Sequence, residues 1–448
     1  MRKSVLIICL LIIQTATFAQ FTVSPDKHYI LKDNKPFFWM GDTAWELFHR
    51  LNREDADFYL KHRGEQGFTV IQAVALAEFD GLNKPNTYGE KPLINNDPAT
   101  PNENYFKHVD YIIDKAAAYN LTIALLPTWG DKINKSSWGI GPEIFNANNA
   151  AVYAEWLAKR YKDKKNIIWV LGGDRDPRGD ADIAIWRAMG LAIKKVTNNK
   201  ALITYHCQPN EFGSAQWFRN ETWFDFNMFQ NGHCRDNNNY QKIFNAYSAL
   251  PLKPVIDGEP LYEDHPICFN AADLGTSSAY DVRHYAYTDL FAGAFGHTYG
   301  CHDIWQMYSP ANEPVNGPHF YWNKAIDLPG AKQMLFVKRL MESHPMLDRV
   351  PDQSLIIESD LPPTARIQAT RGKDYAFIYS SEGKPFTVVM GKITGEKVKA
   401  TWFDPRTGKT TPAGEADNTG TKKYTPPKSG YGNDWVLVID DASKNYKL

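Results

Sequence analysis

The stretch that decides the fold reads Asn166-Ile167-Ile168-Trp169-Val170-Leu171-Gly172-Gly173-Asp174-Arg175-Asp176-Pro177. It begins as a short apolar run with β-branched residues and a tryptophan, which is typical of a buried strand. Two glycines end the run, and a carboxylate follows them at once. The pattern therefore predicts Asp174 at the C-terminal tip of a buried strand.

A second stretch has the same organisation and reads Lys253-Pro254-Val255-Ile256-Asp257-Gly258-Glu259-Pro260. Here too a short apolar strand is followed by glycine and an acid. Two carboxylates on two strand tips that face one pocket are the minimal apparatus for cleaving a glycosidic bond. The sequence thus predicts a glycoside hydrolase with Asp174 and Glu259 as its acid pair.

Outward from these stretches, strand and helix patterns alternate along most of the chain. The predicted strands span residues 36–40, 67–74, 121–129, 166–171, 201–206, 224–230, 254–257 and 295–300. The predicted helices span residues 53–66, 105–120, 148–162, 183–197, 240–250, 278–294 and 331–343. Eight strands in such units predict a (β/α)8 TIM barrel of α/β class. A doubly wound open sheet and a mixed barrel are the alternatives.

The chain divides into three predicted segments. Arg2 and Lys3 precede an apolar run at 5–13 and small residues up to Ala19, so residues 1–19 are predicted to be a signal peptide. This predicts export to the periplasm or the extracellular space. Residues 20–350 are assigned to the catalytic barrel. Residues 351–448 contain strand patterns without helices, at 354–358, 375–380, 386–390, 397–403 and 434–440, and predict a small β-sandwich.

Charge and aromatic content narrow the class of partner. The net charge of −1 gives no basic footprint for nucleic acid. The apolar run at 5–13 is too short to span a membrane. Aromatic residues make up 13% of the chain, which fits either a large aromatic core or rings that stack on sugars. The predicted partner is a polysaccharide or oligosaccharide, and the sequence leaves the oligomeric state open.

The cysteines and histidines give no sign of a metal site. Four cysteines follow the signal segment, namely Cys207, Cys234, Cys268 and Cys301, and sequence alone allows three full pairings. All four lie shortly after predicted strands five to eight, so a bridge there would brace the rim of the barrel. The chain has no Cys-x-x-Cys or His-x-His motif. We therefore predict no metal and no cofactor.

Polar and aromatic residues follow the predicted strands at the end where a barrel of this type carries its active site. A single glutamine or histidine at a strand end is more often structural, but the recurrence at successive tips indicates a substrate pocket. The predicted substrate-binding residues are Asp42, Trp45, Gln72, Trp129, Arg175, His206, Gln230, His233, His302 and Trp305.

Different roles are predicted for the carboxylates. One must be protonated to donate to the leaving oxygen, and the other must be ionised to attack. We assign Asp174 as the acid/base and Glu259 as the nucleophile, with a helix cap or an ion pair to Arg175 as the structural alternative for Asp174. Asp176 and Asp257 are expected to be structural. Arg175 could instead hold the carboxylate of an acidic sugar.

Two other enzyme classes are disfavoured, because a metal-dependent hydrolase would need His-x-His and a serine hydrolase Gly-x-Ser-x-Gly, and neither motif occurs. An exported, non-catalytic carbohydrate-binding or adhesion protein is the remaining alternative. Such a protein needs aromatic rings and amides but no pair of acids at the strand tips.

Three blocks, at 36–45, 172–175 and 258–260, together resemble the apiosidase-like glycoside hydrolases of family 140. The C-terminal segment resembles a domain of collagen-binding type. The resemblance implies cleavage of the apiose–galacturonic acid linkage of rhamnogalacturonan II, a plant pectin, with the catalytic pair at Asp174 and Glu259. A different glycan is the alternative substrate. In one departure, Gly173 stands where retaining barrels of the broader superfamily usually carry asparagine.

Overall fold

The computed structural model describes residues 21–136, 138–358 and 361–448, so the predicted signal peptide lies outside the described residues. Its centre is a sheet of eight parallel strands that overlap the eight predicted ones. In chain order these barrel strands are Trp39–Thr43, Val70–Val74, Thr122–Leu126, Ile167–Gly172, Ile203–His206, Asn227–Gln230, Val255–Glu259 and Gly296–Tyr299.

Neighbouring barrel strands pair in chain order, and the eighth strand pairs with the first. The seam between the fifth and sixth strands is closed by two hydrogen bonds. The backbone N–H of Asp225 donates to the carbonyl of Ile203 at 2.9 Å, and Thr204 Oγ1 donates to the carbonyl of Phe226 at 2.6 Å. The predicted barrel is therefore confirmed, and the open-sheet alternative is wrong.

Helices surround the barrel strands and overlap the predicted ones. Asn52 caps the first long helix as its sequence suggests, since its side chain accepts the N–H of Asp55 at 2.7 Å. The helices are Leu47–Arg50, Arg53–Glu65, Glu103–Ala118, Ala147–Tyr161, Asp180–Val196, Ala215–Phe218, Asn239–Ser248, Ala271–Leu274, Ala279–Phe291, His302–Trp305, Trp322–Ala325 and Pro329–Glu342. Within the described ranges, no helix has the length and apolar character needed to cross a bilayer.

Asp42 faces the helix layer outside the barrel. Arg63 Nε donates to Asp42 Oδ2 at 2.6 Å, and the hydroxyl of Tyr59 donates to the same oxygen at 2.5 Å. All three side chains are completely buried. The prediction that Asp42 binds substrate is therefore wrong, because its carboxylate joins the first strand to the helix Arg53–Glu65.

Antiparallel sheets flank the barrel in the chain. At the N-terminal end of the described chain, a three-stranded sheet contains Phe21–Val23, Ile30–Lys32 and Lys35–Pro36. The strands after the barrel form a six-stranded sheet with a two-stranded sheet packed on it. In spatial order the first contains Val350–Pro351, Ile367–Arg371, Tyr375–Ser380, Trp435–Asp441, Lys397–Phe403 and Thr410–Asp417, and the second pairs Phe386–Val389 with Thr421–Tyr424.

The predicted strand at 354–358 is wrong, because Gln353–Leu355 forms a 3-10 turn instead. The other 3-10 turns are Ile94–Asn96, Gly130–Lys132, Ile267–Phe269 and Pro363–Ala365.

The central strands of the six-stranded sheet are apolar on both faces, whereas the edge strand Thr410–Asp417 is largely exposed. In its strand Tyr375–Ser380, the side chains of Ala376 and Ile378 enter the core of the sandwich, and the alternate aromatic side chains enter the core of the barrel. Tyr379, for example, stacks on Tyr287 with ring centroids 4.9 Å apart. Because strand side chains alternate between faces, one strand serves two cores.

The helix Ala279–Phe291 lies between the barrel strands and this sheet, and it is buried from Tyr280 to Phe291. Its Arg283 makes a bidentate ion pair with Asp434 of the C-terminal region, with Nε–Oδ2 at 3.0 Å and Nη2–Oδ1 at 2.7 Å. A helix without a solvent-facing side is typical of the interior of a large protein. The barrel and the C-terminal sheets therefore pack as one body.

We predict that Arg63→Met lowers the free energy of unfolding by about 3–5 kcal/mol, because it leaves the carboxylate of Asp42 buried without a cation. Urea denaturation followed by circular dichroism measures the change. Lys61→Met is the matched control on the same helix, since Lys61 is exposed and lies 4.0 Å from Glu65. It should change the stability by less than about 0.5 kcal/mol. Equal stabilities of the two variants would contradict the prediction.

Candidate active site

The fourth barrel strand ends in a left-handed turn, with φ of 82° at Gly172, 122° at Gly173 and 51° at Asp174. A Cβ on Gly172 would lie 2.2 Å from the carbonyl oxygen of His206, and one on Gly173 would lie 2.6 Å from the ring of Trp129. Both positions therefore require glycine. This explains why no asparagine precedes the predicted acid, since its side chain would collide with Trp129.

The turn places the carboxyl group of Asp174 beside two donors. Trp138 Nε1 donates to Asp174 Oδ2 at 3.2 Å, and Arg175 Nη1 lies 3.3 Å from the same oxygen. Burial, and then the charge of Glu259, raise the pKa of Asp174 to about 6, although Arg175 and His206 oppose the shift. About half of Asp174 is therefore protonated at pH 6, and about a tenth at pH 7.

Glu259 lies at the end of the seventh strand between two imidazoles. His206 Nε2 is 3.0 Å from its Oε2, and His233 Nε2 is 3.3 Å from its Oε1. Burial would raise the pKa of Glu259, but the two histidines outweigh it and hold that pKa below the usual range. Glu259 is therefore ionised where Asp174 still carries a proton.

His206 connects the two acids. Its Nδ1 accepts the backbone N–H of Asp174 at 3.1 Å, so the proton of the neutral ring is on Nε2, which faces Glu259. The same turn that exposes Asp174 thus determines the tautomer beside Glu259.

A buried polar group supports the backbone of Glu259. Asp257 Oδ1 accepts the N–H of Glu259 at 3.2 Å, and Asn231 Nδ2 donates to Asp257 Oδ2 at 2.8 Å. Burial raises the pKa of Asp257 to about 6. A bulge between Asp257 and Glu259 interrupts pairing with the sixth strand at this point. Asp257 has the structural role expected from the sequence.

Several predicted substrate-binding residues form a packed floor instead. Trp45 and Trp129 are each only 2% exposed and lie against the ring of His206, which is itself fully buried. Gln72 is also fully buried, and its Nε2 donates to the carbonyl of Gly258 at 2.8 Å. These four residues have almost no accessible surface in this structure, and their contact with substrate stays a prediction.

Two further predicted substrate-binding residues are also buried, and their contact with substrate stays a prediction. Arg175 is 1% exposed; its Nε donates to the carbonyl of Asn134 at 3.1 Å and its Nη1 to that of Asp174 at 2.5 Å. It therefore supports the turn. His302 is fully buried, with Nε2 3.1 Å from the carbonyl of Asn316 and Nδ1 accepting from Trp305 Nε1 at 3.3 Å.

Three predicted substrate-binding residues are less completely buried, with exposed fractions of 5% for Gln230 and 7% for His233 and an intermediate one for Trp305. Gln230 lies against Asp174 and favours its ionised form, and His233 lies against Glu259. Trp305 is half-buried and packs against Phe79 with ring centroids 5.5 Å apart. Their contact with substrate stays a prediction.

Sequence reasoning missed two residues at the site. Glu78 is half-buried in the loop after the second strand, where burial and the charge of Asp174 raise its pKa well above the usual range. It follows an apolar run, which is the pattern that singled out Asp174, and could have been found that way. Trp138 lies in the loop after the third strand, and no local pattern indicates its contact with Asp174.

One disulfide lies at the rim. Cys234 and Cys268 are bonded and join the loops after the sixth and seventh strands, whereas Cys207 and Cys301 are buried thiols. The bridge is next to His233, whose backbone carbonyl accepts the N–H of Cys268 at 2.7 Å. It therefore braces the loop that carries a neighbour of Glu259.

Family comparisons agree with this geometry. Residues 24–348 match the model described as "Apiosidase-like, catalytic domain", and residues 350–440 match "Putative collagen-binding domain of a collagenase". The search among curated proteins gave no match.

Among solved structures, one described as a glycoside hydrolase is 36% identical, with a TM-score of 0.88 over 96% of this chain and 98% of its own. A family 5 glycoside hydrolase from Bacteroides vulgatus ATCC 8482 is 34% identical, with a TM-score of 0.88 over 96% of this chain and 95% of its own. A family 39 enzyme from Bacteroides cellulosilyticus WH2, 10% identical with a TM-score of 0.52 over 92% of this chain and 84% of its own, shares only the fold. The chain belongs to the apiosidase-like family, and it is a glycoside hydrolase.

Proposed function

We propose that this protein is a secreted apiosidase that cleaves the apiose–galacturonic acid linkage of rhamnogalacturonan II with retention of configuration. The observation that carries the proposal is that His206 connects the two acids, since its Nδ1 accepts the N–H of Asp174 and its Nε2 lies 3.0 Å from Glu259 Oε2. The surroundings of the two acids shift their pKa values in opposite directions, which suits the two roles. The apiosidase-like match over residues 24–348 supports the choice of linkage.

In the first step, the carboxyl group of Asp174 gives its proton to the glycosidic oxygen, and the carboxylate of Glu259 attacks the anomeric carbon. The bond to the leaving sugar breaks as the bond to Glu259 forms. In the second step, Asp174 removes a proton from water, and the water oxygen displaces Glu259. His206 and His233 lie beside the two oxygens of Glu259, where they favour its ionised form.

The proposal of secretion rests on two features. The basic and then apolar pattern over residues 1–19 is that of a signal peptide. The bond between Cys234 and Cys268 is of a kind that persists in oxidising compartments outside the cytosol.

The first test is incubation of the mature protein with trimmed rhamnogalacturonan II, followed by product analysis, beside Glu259→Gln. We expect an apiose-terminated product from the wild type and none from the variant, because an amide cannot act as the nucleophile. Glu211→Gln is the matched control, since Glu211 is 73% exposed on the loop after the fifth strand. It should keep full activity.

Release by Glu259→Gln would contradict the assignment of the nucleophile. No release by the wild type would contradict the proposed linkage and direct the search to another glycan. Proton NMR of the first-formed anomer tests the mechanism separately, and an inverted product would exclude retention.

We predict that Asp174→Asn lowers kcat on the glycan by about 10²–10⁴-fold, because the amide has no proton to donate to the leaving oxygen. Steady-state kinetics measure the loss. Asp176→Asn is the control two residues away, where the amide oxygen can still accept the N–H of Gln208. A comparable loss of kcat in both variants would mean that the rate depends on the conformation of the loop and not on the acid.

We predict that kcat/KM declines as the pH rises through about 6, and then falls about tenfold per pH unit, because Asp174 must be protonated in the first step. Glu259, whose pKa is lowered, stays ionised in mild acid, so the rate should not fall there for lack of nucleophile. A pH–rate profile from 4.5 to 8.5 measures both the plateau in mild acid and the decline above pH 6. Activity that rises between pH 6 and 8 would contradict the assigned roles.

A further inference from the structure

We propose that Trp138 forms the binding platform for the leaving-group sugar and determines which oxygen of Asp174 donates the proton. This inference rests on the proposed catalytic roles of Asp174 and Glu259.

The indole of Trp138 is exposed to solvent and is also hydrogen-bonded to Asp174. The residue is 56% exposed, yet its Nε1 donates to Asp174 Oδ2 at 3.2 Å. The buried guanidinium of Arg175 lies 4.6 Å from the ring centroid and makes a cation–π contact. A large aromatic ring with open surface beside a catalytic carboxyl suits the apolar C–H face of a sugar.

The loop of Trp138 is anchored on both sides. Before it, Lys132 Nζ pairs with Asp131 Oδ1 at 2.6 Å, and both side chains are completely buried. After it, the backbone N–H groups of Ile140 and Gly141 donate to Asp131 Oδ2 at 3.2 and 2.9 Å. A surface loop closed by a buried ion pair holds its exposed ring in a defined position, as a functional site requires.

The same loop is tied directly to the turn of the predicted acid. Asn134 Nδ2 donates to the carbonyl of Asp176 at 2.9 Å, and Arg175 Nε donates to the carbonyl of Asn134 at 3.1 Å. Trp138 and Asp174 are therefore positioned by shared contacts, although they are 36 residues apart in the chain.

The hydrogen bond of Trp138 also distinguishes the two oxygens of Asp174. Trp138 and Arg175 both lie on Oδ2, so the proton of the acid belongs on Oδ1. The acid protonates the oxygen of the departing sugar, and a ring that holds the acid therefore borders the departing sugar and not the one that Glu259 attacks. Trp138 is thus a substrate platform and a positioning residue for Asp174.

Kinetics of Trp138→Ala and Trp138→Phe test the platform on trimmed rhamnogalacturonan II. Trp138→Ala should raise KM about tenfold, because it removes the stacking surface. Trp138→Phe should keep KM near that of the wild type, because an aromatic ring remains. It should lower kcat, because the N–H that donates to Asp174 is lost. On 2,4-dinitrophenyl apioside, the leaving group departs without a proton. Trp138→Phe should therefore lower kcat much less on this substrate than on the glycan.

Phe58→Ala is the matched control, since Phe58 is 49% exposed on the outer helix Arg53–Glu65. It should leave KM and kcat unchanged. Equal KM values for the wild type and Trp138→Ala would overturn the proposed role of Trp138 as a binding platform. Equal losses of kcat on both substrates in Trp138→Phe would overturn its proposed role in positioning Asp174.

A second measurement needs no substrate, so it separates this inference from the proposed function. Protein labelled with ¹⁵N-tryptophan has 13 indole N–H groups, and the signal absent in Trp138→Phe is that of Trp138. Its chemical shift should titrate near pH 6 with Asp174 and stay constant in Asp174→Asn. The other charged groups that face Asp174 are Arg175, His206, Glu259 and Glu78.

The Asp174→Asn spectrum separates Asp174 from these neighbours. A flat shift in the wild type, or the same titration in Asp174→Asn, would overturn the proposed contact.

Discussion

The turn after the fourth barrel strand forms only because positions 172 and 173 carry no side chain. Any Cβ there would enter the carbonyl of His206 or the ring of Trp129. The turn brings the N–H of Asp174 to Nδ1 of His206, which leaves the ring proton on Nε2 opposite Glu259. One steric constraint on the backbone therefore sets the chemistry of both acids.

Around this turn the strand tips are organised in two layers. The inner layer is almost inaccessible and includes Trp45, Gln72 and Trp129, which fix the position of the groups above them. The outer layer, which reaches the solvent, is sparse and includes Asp174 and Trp138. The density of polar and aromatic residues at the tips reflects the support that two carboxyls of opposite ionisation need, more than it reflects the number of contacts to a sugar.

The barrel could be predicted from the sequence because its strands are short apolar runs separated by helical patterns, and Asn52 marks a helix start by its own chemistry. The orientation of Asp42 could not be predicted from the sequence. Successive side chains of a strand point to opposite sides of the sheet, and a position at the strand tip does not reveal to which side its side chain points. The strand Thr410–Asp417 contains proline and glycine and is largely exposed, so only its pairing with Lys397–Phe403 defines it. The contact between Trp138 and Asp174 depends on two loops that meet only in the folded barrel.

The helix Ala279–Phe291 has consequences for how this protein can be divided. One of its sides packs on the barrel and the other is covered by the sheet that contains Tyr379. The two matched regions therefore share a buried interface, which includes the ion pair between Arg283 and Asp434. A cut near residue 349 would expose the aromatic side chains that the two regions bury together and would leave the charges of Arg283 and Asp434 unpaired. The C-terminal region is therefore part of the same folded body as the barrel and not a module appended to it.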